Sequence, residues 1–176
     1  MPDATTPSPY PAAVVVASDR VARGEAEDRG GPRVAALLTA SGRFEIIETV
    51  VVADDRAAIR AELLRLTVSA ALVVTTGGTG LGPRDVTPEA TLDVIERRVP
   101  GMEEAMRAAG RAKTPLAVLS RAVVGSRGPA LVVNLPGSPK GIEDGLTALA
   151  ASLPHAVEVL RRELADCAPA RARFER

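Results

Sequence analysis

The densest group of residues able to do chemistry lies between Thr75 and Glu89, which read Thr-Thr-Gly-Gly-Thr-Gly-Leu-Gly-Pro-Arg-Asp-Val-Thr-Pro-Glu. A buried strand leads in and a helix leads out. Gly77, Gly78, Gly80 and Gly82 can take positive φ and leave backbone N–H groups open to an anion. Thr76 and Thr79 add hydroxyls. Thr87 suits an N-cap, Pro88 the first helical position and Glu89 the positive end of the helix dipole. The helix start then turns free amides toward a phosphate. Asp85 stands beside this anion-binding surface. A carboxylate there repels a bare phosphate, so it makes sense where a divalent cation bridges the two. Neither G-x-x-x-x-G-K-[ST] nor G-x-G-x-x-G fits in register, which argues against an ordinary P-loop and against a Rossmann dinucleotide site. A glycine-rich turn without a ligand is the competing reading.

Three further clusters carry polar groups. Asn134-Leu-Pro-Gly-Ser138-Pro-Lys140-Gly141 again lies between strand and helix. Asn134 and Ser138 can hydrogen-bond a heterocycle and Lys140 can meet a phosphate; a Pro/Gly turn is the alternative. Asp54-Asp55 opens a helix, and taken alone both carboxylates read as caps. Ser18-Asp19-Arg20 ends the first strand and is ambiguous alone. His155 is the one histidine and Cys167 the one cysteine. That excludes an internal disulfide and leaves too few ligands for a Cys/His zinc site. His155 reads as a structural residue at a helix start, since no nucleophile signature accompanies it.

The elements that must position these loops alternate. Ala12–Ser18, Phe44–Val52, Ala70–Thr76 and Pro129–Leu135 read as strands. Helices are expected over Pro32–Ser41, with Gly42 as a stop, and over Ala57–Leu66. The spacing of Leu92, Ile95 and Val99 predicts a helix over Thr87–Val99. A short one follows over Gly101–Ala109, then Ile142–Leu153, then a last helix from Pro154. Apolar strands alternating with amphipathic helices imply an α/β fold with a mostly parallel sheet covered on both faces. In such sheets ligands bind beyond the carboxyl ends of the strands, where these loops lie. One domain is expected over residues 12–164, with loosely attached tails at 1–11 and 165–176.

Aromatics are 2% of the 176 residues, so the core must be aliphatic. Formal net charge is zero, from 22 basic and 22 acidic side chains, and Lys113 and Lys140 are the only lysines. No overall basic surplus points to nucleic acid or to an anionic membrane. There is no signal pattern and no apolar run near the ~18 residues that span a bilayer, so the cytoplasm is the expected location.

Together these loops resemble the molybdopterin-binding family, which includes the bacterial Mog and MoaB proteins, the gephyrin G domain and the G domain of the plant molybdenum-insertion protein. The likeness runs through Thr75 to Thr91, Pro100-Gly-Met102, Leu119-Ser-Arg121 and Asn134 to Ser138 with Lys140-Gly141. Ser18-Asp19-Arg20, Asp28 to Gly31 and Leu153 to Leu160 fit as well, so it covers Val14 to Leu164. The resemblance implies a three-layer α/β/α sandwich, commonly a homotrimer, that binds molybdopterin and ATP with Mg2+. The implied activity is transfer of AMP to the molybdopterin phosphate with release of pyrophosphate, in molybdenum cofactor biosynthesis, with a molybdenum-insertion protein as a further partner. It assigns catalysis and metal binding to Asp85 and Asp54. Ala53 stands where the family has Pro, so Asp55 competes with Asp54. Thr76, Gly77, Gly78, Thr79 and Gly80 would bind phosphate, and Asn134, Pro136, Gly137, Ser138 and Lys140 the pterin end. Ser18 and Asp19 would lie near the nucleotide. The alternative is a MoaB-type pterin-binding paralogue without adenylylation.

Overall fold

Runs of β-branched residues with few turn signals inside them pair into one sheet, and the computed structural model, which describes residues 8–161, places that sheet in the middle of three layers. The strands are β1 (Tyr10–Ala17), β2 (Phe44–Val52), β3 (Leu72–Thr76), β4 (Arg97–Arg98), β5 (Val124–Arg127) and β6 (Ala130–Leu135). Their order is β2-β1-β3-β6-β5-β4. Neighbours among β2, β1, β3 and β6 run parallel, while β5 and β4 add an antiparallel edge. Val14 lies opposite Val74, and Val74 opposite Val133.

The strand period of two sends alternate side chains into two aliphatic cores. Ala12, Val14 and Val16 face α2 (Gly30–Ala40), α5 (Pro100–Arg111), α6 (Pro139–Leu149) and α7 (Leu153–Leu160). Ala13, Val15 and Ala17 face α3 (Arg56–Leu66) and α4 (Thr87–Leu92). Ile59, Leu63 and Leu66 are fully buried on α3, each such side chain stabilising by about 1.5–3 kcal/mol. The expected three-layer α/β/α architecture is the one observed.

Several boundaries differ from the sequence reading. β1 opens at Tyr10, so residues 10 and 11 belong to the sheet and not to a loose lead. Most of the expected N-terminal tail and all of residues 162–176, Leu164 and Cys167 included, lie outside the described residues. The expected helix over Thr87–Val99 stops at Leu92. Beyond it the Glu96 and Val99 amides donate to the Ser126 and Val124 carbonyls, at 2.7 and 2.8 Å. Strand β5 thus takes the donors that a longer helix would have used internally. Leu92 is exposed, and Ala90, Thr91 and Val94 make the buried side instead. β4, β5, α1 (Asp19–Ala22) and a 3₁₀ turn over Pro115–Leu119 are not foreseen by the sequence, the helix read as Ile142–Leu153 runs over Pro139–Leu149 as α6, and the last helix, read from Pro154, is α7. Thr87 is the first helical residue and not the cap: Val86 holds the cap position without a side-chain hydrogen bond.

Candidate active site

The carboxyl ends of β1, β3 and β6 bring the predicted loops together. Gly77 takes φ +97° and Gly78 φ +62°, backbone that only glycine adopts freely. A Cβ on Gly77 would also collide with the Ala17 carbonyl. Gly80 and Gly82 lack the positive φ expected of them, but a Cβ on either would come within 2.8 or 2.9 Å of Asp85 Oδ2. These two glycines make room for that carboxylate. The amides of Gly78, Thr79 and Gly80 make no hydrogen bond among the described residues. They are therefore available to an anion.

Asp85 is half-buried; its Oδ2 accepts the Gly82 amide at 2.8 Å, and Oδ1 has no partner among the described residues. Asp54 and Asp19 hold each other. The Asp19 amide donates to Asp54 Oδ2 at 2.8 Å, and the Asp54 amide donates to Asp19 Oδ1 at 3.1 Å. Asp54 Oδ1 faces Gly78, 3.3 Å from where a Cβ would stand. Asp55 caps α3 by accepting the Ala58 amide at 2.8 Å. The two adjacent carboxylates are thereby told apart: Asp55 belongs to the helix, Asp54 to the glycine loop. Arg84 donates from Nε and Nη2 to the Asp19 carboxylate at 3.0 and 2.9 Å. This hydrogen-bonded guanidinium holds the Asp19 carboxyl below the usual carboxylate range. Ser18 caps α1 through Oγ, which accepts the Val21 amide at 3.3 Å.

A cavity of about 550 Å³ lies against these loops, with Gly77 to Gly80, Asp85, Pro136 to Ser138 and Lys140 in its wall. Its other wall comes from α5 and the 3₁₀ turn, through Met106, Arg107, Lys113, Leu116 and Leu119. The chain's two lysines thus line the same cavity, one on each wall. Thr76, Asp54, Ser18 and Asp19 lie beside it and do not line it. Asn134, expected to hold a heterocycle, is fully buried. Its Nδ2 donates to Thr75 and Thr91 Oγ1 at 2.9 and 2.8 Å, and its Oδ1 accepts the Val123 amide at 3.1 Å. Strand alternation turns the side chain under α4, away from the cavity, so Asn134 ties β6 to β3 and does not present its amide to a ligand. Thr76 Oγ1 donates to the Pro136 carbonyl at 2.9 Å and joins the two loops.

Glu103 escaped the sequence reading. It is 2% exposed, lines the cavity, and accepts from Arg98 Nη2 at 2.7 Å and from the Val124 amide at 3.1 Å. Only the position of β4 and β5 reveals it, because an acidic pair at a helix start ordinarily faces solvent. His155 stands 3.6 Å from Glu158 on α7 and takes no part in the cavity.

The family described as "Probable molybdopterin binding domain" matches residues 13–155. A molybdopterin adenylyltransferase of Escherichia coli K12 is 38% identical over 172 residues, covering 89% of this chain and 88% of that protein. A molybdenum cofactor biosynthesis bifunctional protein of Synechococcus elongatus is 42% identical over 151 residues, and the aligned part is 85% of this chain but 47% of that protein's length. Among solved structures, the molybdopterin biosynthesis enzyme MoaB of Thermus thermophilus superposes with a TM-score of 0.82 at 40% identity, over 87% of this chain and 97% of that one.

Proposed function

The chain belongs to the molybdopterin-binding domain family, and from that premise we propose that it is a molybdopterin adenylyltransferase of molybdenum cofactor biosynthesis. In this reading a molybdopterin phosphate oxygen attacks the α-phosphorus of ATP. The new P–O bond forms as the bond to the β-phosphate bridging oxygen breaks, and pyrophosphate leaves. The nucleophile is already an anion, so no strong general base is needed. The difficulty is assembling several negative groups, which calls for positioning and charge neutralisation. The observation that carries the reading is the convergence of Asp54 and Asp85 on a glycine loop with three free amides.

The donor set suits Mg2+. Among the described residues, each of Asp54 and Asp85 keeps one carboxylate oxygen without a hydrogen bond, and the buried Thr87 Oγ1 beside Gly78 has no partner. No group of three or more His, Cys, Asp or Glu is gathered among the described residues. That pattern matches an ion that takes one or two carboxylates and completes its shell with substrate phosphates and water. Bound there, Mg2+ would neutralise the triphosphate and polarise the α-phosphoryl group. The chain's own groups do the rest. The Gly78 to Gly80 amides hold phosphate oxygens, Asp19 fixes Asp54, Lys140 meets the molybdopterin phosphate, and Ser18 lies by the nucleotide. We further propose a homotrimer in the cytoplasm that hands its product to a molybdenum-insertion protein. Among the described residues no helix is long and apolar enough to cross a membrane.

Incubation with Mg·ATP and molybdopterin, followed by detection of adenylylated pterin and pyrophosphate, tests the activity. Pterin binding without AMP transfer would overturn it and leave the MoaB-type role. Light scattering that gives the mass of one chain at micromolar concentration would reject the trimer.

A further inference from the structure

Arg121 lines no part of the cavity, yet it makes more bonds to the glycine loop than any residue that does. It follows the 3₁₀ turn and leads into β5. Its backbone amide donates to the Thr79 carbonyl at 2.9 Å. Its Nε donates to the Gly80 carbonyl at 2.7 Å and its Nη2 to the Asp85 carbonyl at 2.6 Å. Nη1 pairs with Glu89 Oε1. That guanidinium holds the Glu89 carboxyl below the usual carboxylate range.

One planar group therefore grips both ends of the segment from Gly80 to Asp85. Between those ends the chain is exposed from Leu81 to Arg84. Its internal bonds are the Asp85 amide to the Gly82 carbonyl at 2.9 Å, and the Gly82 amide to Asp85 Oδ2 at 2.8 Å. A stretch with two glycines and so few internal bonds has large conformational freedom to lose. If ligand binding had to order it, affinity and alignment would both suffer.

We propose that Arg121 is a positioning residue for the phosphate loop. It sets the distance between the Gly80 and Asp85 carbonyls, so that the free amides and the Asp85 carboxylate are presented together before substrate arrives. Glu89, in the first turn of α4, orients the guanidinium. A lysine cannot replace it, because one ammonium lacks the fork that reaches two carbonyls and a carboxylate at once. The inference rests on the adenylyltransferase reading for its catalytic part, but the restraint on the loop is independent of it.

Arg121→Lys and Glu89→Gln are the variants. Amide hydrogen exchange at Gly82 and Asp85, the hydrogen-bonded amides between the two gripped carbonyls, is compared with exchange in α3, and AMP transfer is measured alongside. In Arg121→Lys, exchange in the loop should rise about tenfold or more with α3 unchanged, and kcat should fall by about a hundredfold. KM for ATP should move much less. Glu89→Gln should give a smaller change of the same kind. Should Arg121→Ala fold, added guanidinium should recover part of its kcat. Loop exchange equal to wild type in folded Arg121→Lys would overturn the proposal. So would a rise that is uniform across the loop and α3, which is the mark of a merely structural residue. If the wild type makes no adenylylated pterin, the activity assignment fails while the exchange comparison still decides the restraint.

Discussion

The loop that leaves β3 and the loop that leaves β6 touch where Gly137 approaches Gly77, but they are held in different ways. The first is fixed by two positive-φ glycines, by the Arg121 guanidinium and by the Asp85 side chain folded back on Gly82. The second has Gly137, Ser138, Pro139 and Lys140 exposed. It is secured at its base by Thr76 on Pro136 and by Ser138, whose Oγ accepts the Gly141 amide at 3.2 Å. A restrained loop with open backbone amides thus faces a loop whose side chains are exposed. Rigid amides suit a group whose charge must be met in one geometry. A flexible ammonium suits a phosphate that shifts between substrate and product positions.

The most severe way to break that contrast is at Asp85. Asp85→Asn keeps an oxygen for the Gly82 amide, so the melting temperature should stay nearly unchanged while AMP transfer falls by about two to three orders of magnitude; molybdopterin binding should persist. Asp54→Ala should lose activity comparably, whereas Asp55→Ala should cost only the helix cap, about 1 kcal/mol in urea unfolding. Full activity in either Asp85→Asn or Asp54→Ala would remove that residue from catalysis. Next comes Asn134, which sits under the β6 loop without reaching the cavity. Asn134→Ala strands the Val123 amide and two threonine hydroxyls in the core, and should cost about 2–3 kcal/mol of stability. Lower pterin affinity at unchanged stability would instead make Asn134 a ligand contact.

Smaller effects sharpen the comparison. The folded Asp19 carboxyl titrates below its ordinary value because of Arg84. Its contribution is therefore complete above the ordinary carboxylate pKa, and is lost as pH falls through the depressed folded value. Asp19→Asn should flatten the acid limb of thermal stability below the ordinary carboxylate pKa, and an unchanged limb would show that the pair is not coupled to folding. Smallest is Lys140 on the adaptable loop. Lys140→Ala should weaken molybdopterin binding several-fold, by an amount that shrinks as salt is raised, and Lys140→Arg should restore it in part. Equal affinities across the three proteins would return Lys140 to solvent.

Periodicity made the four parallel strands and most helices legible, because each buries a stripe or a face whose spacing is written in Val, Leu and Ile. It failed where a partner strand decides. Nothing local marks Val124-Gly-Ser-Arg127 as a strand. Its Gly125 is there because a Cβ would meet the Arg97 carbonyl at 2.6 Å, a contact that exists only once β4 pairs with it. Without β5 in view, the Leu92-Ile95-Val99 spacing extends α4 too far. In the site, residue types singled out the glycine loop and Asp85, since glycines between strand and helix beside a carboxylate are chemically unusual. They could not separate Asp54 from Asp55, which needed the direction of each side chain. Nor could they show that Asn134 points under α4, since a strand residue and a loop residue look alike when they adjoin. Arg121 was visible only as part of a pattern, because its partners lie 36 and 41 residues away.

The central place of β6 bears on the order in which the chain can fold. β3 and β6 are neighbours, yet Thr75 and Asn134, which pair between them, are separated by 59 positions. Once β1 and β2 have paired, β3 is reached across the 19 residues 53–71, whereas β6 lies beyond the 53 residues 77–129, a longer closure that costs more chain entropy. Loop-closure entropy accordingly favours an early unit of β1, β2, β3 and the helices between them, with the glycine loop hanging from an open sheet edge. The β5–β6 hairpin, turned at Gly128 with φ +51°, docks afterwards and brings Arg121 and the Pro136 loop with it. In that order the glycine loop is the last part to become rigid, and a chain interrupted before residue 130 would carry the sequence motif without the strand and loop that pack against it.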